Sequence, residues 1–199
     1  MEDAEKSKKI LLKRGAVLGA LVVVIVGAWL FFRTNPSSLG IGSSTDLGLL
    51  SSERQAGKQY ASAVGYYVEP FRLKGSNGKI IDFQKDILGK KTLLVFQATW
   101  CVYCKQELND LKQIAAEKRV NFITVDINEE ESLVQAHLAQ YGISYPWYYD
   151  PGGAVSTWFL LAGTPTHVYI DQTGKIIRRD AGYQSAQQLN EAINQLLAS

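Results

Sequence analysis

The chain has 199 residues, of which 46% are hydrophobic and 20% are charged, and its formal net charge is +2 at pH 7. These values are typical of one globular domain with an appendage. The near-neutral charge, with no dense run of Lys and Arg that could follow a nucleic-acid backbone, argues against nucleic acid as a partner.

An apolar stretch near the start, residues 15–32, predicts a single transmembrane helix. It carries no charged side chain and, at about 18 residues, is long enough to cross the roughly 30 Å hydrocarbon layer of a bilayer. Basic side chains are frequent in residues 1–14, whereas Arg33 is followed by no Lys or Arg until Arg54. By the positive-inside rule, residues 1–14 stay in the cytoplasm and the rest of the chain is exported.

A cleaved signal peptide is the alternative interpretation of this stretch, because signal peptides also begin with a basic segment followed by an apolar one. The stretch is longer than the apolar segment of about 7 to 15 residues that signal peptides use, and no small-x-small cleavage site follows it. We therefore predict an uncleaved anchor. Residues 33–58, rich in Ser and Gly, are predicted to form a flexible linker.

The remaining residues, 59–199, are predicted to form one compact domain. Two short apolar runs around Asn77 and Gly78 predict a β-hairpin, because that pair tolerates positive φ. The continuous apolar run at residues 92–99 predicts a buried strand. The apolar face of the helix that follows consists of Leu108, Leu111, Ile114 and Ala115.

The second half of the domain continues the alternation of strands and helices. Residues 121–127 predict another buried strand, followed by a helix that ends at Gly142. Next come a short strand in "YPWYYD", a short helix over residues 154–161 and a hairpin in "THVYIDQTGKIIRRD".

A final helix closes the domain, and Ser185 with Gln188 predicts its capping box. The apolar face of this helix consists of Leu189, Ala192, Ile193, Leu196 and Leu197. The complete order of elements predicts an α/β fold, with a mixed central sheet covered by helices on both faces.

Both cysteines of the chain lie in "TWCVYCKQE", as Cys101 and Cys104. A disulfide over so small a loop gains only about 2 kcal/mol, against more than about 4 kcal/mol for a loop of about 80 residues, so a structural staple is disfavoured. A redox pair, half of a metal site and two buried thiols remain. The chain has no second C-x-x-C, and a metal site would depend on His137 and His167. Because this part of the chain is exported to an oxidising compartment, the redox pair is favoured over inert thiols.

The redox interpretation agrees with the place of the motif between a buried strand and a helix. In the first helical turn, the Cys101 sulfur would lie near free backbone N–H groups and the positive end of the helix dipole, which favour the nucleophilic thiolate. Cys104, one turn further along, can then attack a mixed disulfide on Cys101 and release the product.

The stretch "TLLVFQATWCVYCKQEL", together with "GTPTHVYID", resembles the thioredoxin superfamily, in particular its membrane-anchored TlpA/ResA (DsbE-like) type. The resemblance covers about residues 68–197. It implies a thioredoxin-like α/β fold with an N-terminal hairpin and a strand–helix insertion. It also implies a thiol-disulfide oxidoreductase that uses no metal, and no cofactor beyond the redox-active Cys101–Cys104 disulfide.

The resemblance assigns roles to individual residues. Cys101 corresponds to the nucleophile and Cys104 to the resolving cysteine. The substrate-binding positions are Trp100, Tyr103, Thr164 and Pro165. Pro165 matches a proline whose preceding peptide bond is cis, which places the Thr164 backbone where a substrate strand can bind. Without the resemblance, a trans proline that opens an edge strand would be the favoured interpretation.

Glu107 lies three residues after Cys104, so the two side chains share a face of a helix. Members of the anchored reductant group carry an acidic residue there, which implies a proton carrier; a solvated surface carboxylate is the alternative. Val95 occupies the position where ordinary thioredoxins have a buried aspartate, which leaves Glu107 as the candidate. His167 invites a role in catalysis or copper binding, although a histidine on a strand is more often a packed side chain.

Relatives of this type commonly act as reductants, for example on apocytochrome c before haem attachment, with electrons from a membrane partner. The resemblance therefore implies protein thiol and disulfide substrates, at the bacterial cytoplasmic membrane, with the domain in the periplasm. A disulfide oxidase or isomerase, a copper-binding chaperone of the same fold and a redox-inactive scaffold are the alternatives. The dipeptide Val102–Tyr103 replaces a pair that ends in proline in many relatives, which leaves the reduction potential open.

Overall fold

The computed structural model describes residues 47–199, which form an α/β fold around a mixed sheet. The predicted cytoplasmic segment, 1–14, and transmembrane segment, 15–32, lie outside the described residues, as does most of the predicted linker. Within residues 47–199, no helix is long and apolar enough to cross a bilayer.

Eight strands and four α-helices make up the described part of the chain. The strands are β1 (Gly48–Leu49), β2 (Phe71–Gly75), β3 (Ile80–Asp82), β4 (Thr92–Gln97), β5 (Asn121–Asp126), β6 (Trp147–Tyr149), β7 (Thr166–Ile170) and β8 (Ile176–Ala181). The helices are α1 (Val102–Glu117), α2 (Glu131–Gln140), α3 (Ala154–Trp158) and α4 (Ala186–Ala198). A π turn, Phe83–Ile87, follows β3. The strands and helices predicted for residues 59–199 are all present.

The sheet is mixed, as predicted, with the strand order β1-β2-β6-β5-β4-β7-β8 and with β3 paired to β2. Strands β4, β5 and β6 run parallel, whereas β7 runs antiparallel to β4. On β4, Val95 lies opposite Thr124 of β5 and His167 of β7. This register places the carboxyl end of β4, where the cysteine motif begins, beside the start of β7.

Side chains of β4 alternate between two hydrophobic clusters, one on each face of the sheet. Leu93 and Val95 belong to the cluster that includes side chains of α1, α2 and α4, and we call this side of the sheet the helical face. Leu94 and Phe96 belong to the opposite cluster, which is covered by α3, the π turn and the chain before β2. Helices cover both faces, as predicted, but the three longer helices all lie on one of them.

The chain before the first predicted hairpin is part of the fold. Strand β1 pairs antiparallel with β2, Leu50 is buried, and Arg54 binds the fully buried carboxylate of Glu69. The prediction of a flexible linker over residues 33–58 is therefore wrong from Gly48 onward. The few apolar residues of this segment cannot form an element alone, but an existing strand edge supplies both the backbone partners and the apolar cover.

Two predicted helix details are also wrong. Helix α3 ends at Trp158 rather than at Leu161, because Leu160 adopts a left-handed conformation with a φ of 49°. The buried side chains of α4 are Leu189, Ala192, Ile193 and Leu196. Leu197 was predicted to join them but is 38% exposed. Successive residues of a helix are about 100° apart around its axis, so Leu197 lies at the edge of the apolar face to which Leu196 belongs.

Candidate active site

Cys101 lies between β4 and α1, Cys104 lies in the first turn of α1, and the two cysteines are joined by a disulfide. Cys101 is the N-cap of α1, and its sulfur accepts a hydrogen bond from the Cys104 N–H at 3.0 Å. The start of the helix therefore directs a free N–H group toward the sulfur, as predicted. Cys101 is 5% exposed and Cys104 only 1%, so Cys101 is the sulfur that a substrate reaches first.

The peptide bond between Thr164 and Pro165 is cis, as the resemblance implied, and the trans alternative is wrong. The Thr164 carbonyl oxygen lies 3.3 Å from the sulfur of Cys101. Because β7 pairs with β4, the loop that precedes β7 is held against the start of α1. The Thr164 backbone therefore lies beside the nucleophile, where an extended substrate segment can bind to it.

Large apolar side chains near the cysteines are exposed to solvent, and we call them the apolar rim. They are Trp100, Val102, Tyr103 and Leu160, with exposed fractions of 64%, 64%, 59% and 73%. A cavity of about 390 Å³ is lined by Leu160 and Ile127, and Ile127 packs against the buried cluster that contains the two cysteines. Several large apolar side chains exposed around one site are typical of a surface that binds a partner.

Glu107 is fully buried, so the alternative of a solvated surface carboxylate is wrong. One carboxylate oxygen lies 3.0 Å from Nε2 of His167, and the other accepts a hydrogen bond from the Gln184 N–H. Cys104 lies one turn earlier on the same buried side of α1. The carboxyl group is therefore held on the buried side of α1, one helical turn from Cys104.

His167 is fully buried as well, on the helical face of the sheet. Its register partner on β4 is Val95, the position that the resemblance matches to the buried aspartate of ordinary thioredoxins. The imidazole thus lies beside the position of the missing carboxylate and contacts Glu107. Nothing in the sequence pattern linked Glu107 to His167, because the two residues meet only when β7 packs under α1.

Two acidic residues near the cysteines were missed by the sequence analysis. Asp126 is the buried last residue of β5, and Glu129 follows it by three residues. The Glu129 carboxylate accepts hydrogen bonds from the N–H and the hydroxyl of Thr99, two residues before Cys101. The Glu129 N–H donates to Asp126 at 3.0 Å. The sequence did contain a signal for these two residues: they are a pair of acids at the carboxyl end of a buried parallel strand, where ligand sites of α/β sheets are usually found.

The surroundings of the two acids shift their pKa values in opposite directions. Burial, followed by the neighbouring Glu129 carboxylate, raises the pKa of Asp126 to about 8. Burial by itself would also raise the pKa of Glu129, but hydrogen bonds from Asp126 and Thr99 lower it. At neutral pH the proton therefore resides on Asp126. Gln97 lies opposite Asp126 in the register and is buried with both amide atoms unpartnered in the described part of the chain, so the polar cluster extends to the end of β4.

The other histidine, His137, has different neighbours. Its ring lies 4.7 Å from the ring of Tyr141 and 5.2 Å from that of Trp147, between centroids. Burial, and then the charge of Lys105, lower the pKa of His137. Within residues 47–199, no group of three His, Cys, Asp or Glu side chains is arranged to hold a metal ion.

Known proteins are similar to this chain over most of the described residues. The model of the Redoxin family matches residues 63–196. The thiol-disulfide oxidoreductase ResA of Bacillus thuringiensis subsp. konkukian is 31% identical over 142 residues, which cover 70% of this chain and 82% of that protein. ResA of Bacillus subtilis is 28% identical over 143 residues, which cover 70% and 78%. The structure of Etrx1, an exposed lipoprotein thioredoxin of Streptococcus pneumoniae, is 27% identical with a TM-score of 0.55, over 63% of this chain and 98% of that one.

Proposed function

Because the chain belongs to the Redoxin family, as a TlpA/ResA-like thiol-disulfide oxidoreductase of the thioredoxin superfamily, we propose that it is a membrane-anchored reductant of protein disulfides outside the cytoplasm. The observation that carries the proposal is the position of Cys101. Its sulfur lies at the N-cap of α1, 3.3 Å from the Thr164 carbonyl oxygen and next to the apolar rim. A substrate segment bound along the Thr164 backbone would present its disulfide to Cys101, while its apolar side chains contact the rim.

The reaction consists of two thiol–disulfide exchanges. The Cys101 thiolate attacks one sulfur of the substrate disulfide, and the other substrate sulfur leaves as a thiolate that takes a proton from solvent. The Cys104 thiol then gives its proton to Glu107, and its sulfur displaces the second substrate sulfur from Cys101. That sulfur also leaves as a thiolate and takes a proton from solvent, and Glu107 releases its proton to solvent before the next turnover. Two electrons pass to the substrate, which becomes a dithiol, and the Cys101–Cys104 disulfide forms.

The surroundings of the sulfurs support the reducing direction. A disulfide is a strong oxidant when its reduced form is stabilised, as it is by a well-stabilised thiolate. Here the carbonyl oxygen of Thr164 faces Cys101, and the buried carboxyl group of Glu107 lies one turn from Cys104. Both disfavour negative charge on the thiols and oppose the effect of the helix start.

A redox titration against glutathione and dithiothreitol buffers tests this direction. We expect a reduction potential closer to that of thioredoxin, about −270 mV, than to that of DsbA, about −120 mV. A potential near the second value would contradict the reductant and support the oxidase or isomerase alternative. Glu107→Gln should make the potential less negative, because the amide removes a group that disfavours the thiolate.

The predicted transmembrane segment, 15–32, supports a place at the bacterial cytoplasmic membrane with the domain in the periplasm. The similar Etrx1 is itself described as an exposed lipoprotein. A dithiol that is oxidised at each turnover must be reduced again, so an electron-transfer partner in the membrane is part of the proposal. Protease treatment of spheroplasts should digest the domain, whereas protection of the domain would contradict its export.

Trapping in cells identifies the substrate. Cys104→Ser removes the resolving sulfur, so substrates should stay attached to Cys101 as mixed disulfides. We expect apocytochrome c among them, as the resemblance to the TlpA/ResA type implies. Cys101→Ser is the matched control, which lacks the nucleophile and should trap nothing. A broad set of exported proteins without apocytochrome c would favour oxidation or isomerisation instead.

A further inference from the structure

The contact between His167 and Glu107 carries an inference that rests on the proposed role of Glu107. We propose that His167 is a positioning residue: its Nε2–H holds the Glu107 carboxylate on the buried side of α1 that it shares with Cys104, so that Glu107 takes the Cys104 proton when the mixed disulfide is resolved. His167 would thus set the pH range of the resolving step without touching the substrate.

Burial makes a partner for Glu107 necessary. The side chain is fully buried, and an ionised carboxylate in such a place is costly unless charge or hydrogen bonds compensate it. The Gln184 N–H satisfies one carboxylate oxygen. The other oxygen lies 3.0 Å from Nε2 of His167, which is the side-chain donor at this site. Without it, one oxygen of the fully buried carboxylate would lose its hydrogen-bond donor.

The unpartnered nitrogen of His167 identifies the tautomer. Nδ1 is buried and has no hydrogen-bond partner among the described residues. An orphaned buried N–H is rarer in proteins than an orphaned acceptor, so the ring proton resides on Nε2 and Nδ1 is bare. In this tautomer the imidazole donates its Nε2–H to the Glu107 carboxylate.

Strand β7 fixes the geometry of the pair relative to the disulfide. Thr164 lies just before this strand and contacts Cys101, and His167 lies three residues later and contacts Glu107. The same strand therefore meets α1 at both the nucleophile and the carboxylate. Because β7 is paired on both sides, with β4 and with β8, neither contact can shift alone.

Other titratable groups surround Glu107 and His167, but we expect the pH dependence of the resolving step to come from these two residues. Asp180 lies opposite His167 on β8 and is bound by Arg178 at 2.7 Å. Burial raises the pKa of Tyr169 on β7 and of Tyr145 before β6, so both phenols stay neutral. From α1, Cys104 faces the pair from the turn that precedes Glu107.

Stopped-flow kinetics with a chromogenic aryl disulfide tests the inference on the full chain. The reduced protein releases one aryl thiol when Cys101 attacks and a second when Cys104 resolves the mixed disulfide, so the second phase reports the resolving step. The rate of this phase is measured between about pH 5 and about pH 9. His167→Phe should raise the pH at half-maximal rate by about one unit, which corresponds to about tenfold slower resolution below the midpoint. His167→Gln keeps an N–H donor and should retain the wild-type profile.

His137→Phe is the matched control, since it removes the other buried imidazole of the chain and should leave the profile unchanged. A wild-type profile for His167→Phe would overturn the inference, as would equal shifts in His167→Phe and His167→Gln. Glu107→Gln distinguishes a failure of the proposed role of Glu107 from a failure of the proposed role of His167. If it leaves the second phase unchanged, the proposed role of Glu107 fails; if it slows that phase while His167→Phe does not, only the role of His167 fails.

Imidazole nitrogen NMR of the wild-type protein supplies a test that needs no variant of this site. With two histidines in the chain, the signals of His167 are assigned by comparison with His137→Phe. We expect a proton on Nε2 and a bare Nδ1 in the disulfide form. The opposite tautomer would overturn the inference, because Nε2 would then accept from a protonated Glu107 rather than donate to it.

Discussion

The outer and inner sides of the disulfide are built from opposite kinds of side chain. On the outside, the apolar rim places four large apolar side chains in solvent. On the inside, Glu107 and His167 are polar and fully buried. Each arrangement is costly for folding, since apolar surface stays wet and ionisable groups are desolvated. The difference indicates that substrate contact and proton handling are separated, with the two sulfurs as the boundary.

One helical turn produces both sides. Val102 and Tyr103 follow Cys101 and point outward, whereas Cys104 and Glu107 point into the domain. A spacing of three residues brings side chains back to the same face of a helix, so the pattern C-x-x-C-x-x-E places the resolving thiol and the carboxyl group together. Val102 and Tyr103, which lie between the two cysteines, therefore face outward, on the side where a substrate would bind.

Loss of either sulfur should have the largest effect. Cys101→Ser removes the nucleophile, and we expect disulfide reduction to fall to the uncatalysed rate, whereas Cys104→Ser should still attack once and then stop. Reduction of insulin disulfides by dithiothreitol measures turnover, and mass spectrometry measures the trapped adduct. Turnover by Cys101→Ser would contradict the assignment of the nucleophile, and the double Cys→Ser variant provides the baseline.

Glu107→Gln tests the inner side. The amide has a similar shape but cannot accept the Cys104 proton, so we expect the resolving step to slow by about 100-fold near neutral pH, within the range for a lost general base. The first exchange should change far less, because Cys101 depends on the helix start. The matched control moves the carboxyl group to the neighbouring residue 106, which is exposed on α1 and so points away from Cys104. Gln106→Glu added to Glu107→Gln should therefore not restore the rate. Equal slowing of both exchanges would contradict the separation.

Asp126→Asn tests the second buried acid. Asp126 has a pKa of about 8 in the folded protein against an ordinary value of 3.8. Between about pH 5 and about pH 8 the folded state therefore holds a proton that the unfolded chain has lost, and the free energy of unfolding should fall by up to about 1.4 kcal/mol per pH unit. The lowered pKa of Glu129 acts in the opposite sense, but below its ordinary value of 4.5.

Urea unfolding at a series of pH values measures this slope. Asp126→Asn cannot ionise, so its stability should vary less with pH over this window and exceed that of the wild type at alkaline pH. Glu130→Gln changes an exposed acid near the same cluster and should leave the slope unchanged. An unaltered slope in Asp126→Asn would show that the proton resides elsewhere.

Leu160→Ser tests the outer side and should have the smallest effect. The side chain is 73% exposed at the mouth of the cavity, so its loss should barely affect stability but should lower kcat/KM for a peptide disulfide by roughly five- to tenfold, as expected for about 1 kcal/mol of lost apolar contact. A small aryl disulfide, which cannot span the rim, should react as before. Leu133→Ser, at a 56% exposed position on α2, is the matched control. Equal losses with both substrates would contradict substrate binding at the rim.

Local patterns were sufficient for much of this molecule. The run at residues 92–99 predicted β4, the spacing of apolar residues predicted α1 and α4, and the two cysteines three residues apart predicted a redox pair. These features depend on contacts within one element, so a short window of sequence contains the information. The resemblance added the cis bond before Pro165, which no local pattern distinguishes from a trans one.

The contacts between distant segments were decided by the tertiary structure. Glu107 and His167 are 60 residues apart in the chain, and Thr99 and Glu129 are 30 apart; each pair meets because strand pairing brings β5 and β7 to the two sides of β4. The pairing of β1 with β2 is of the same kind, which is why the predicted linker extended too far. The sequence by itself determined the cysteine chemistry and the elements that carry it, because both are local. Which acid, base and donor surround the sulfurs depended on strand order and register, which join residues that no short window contains together.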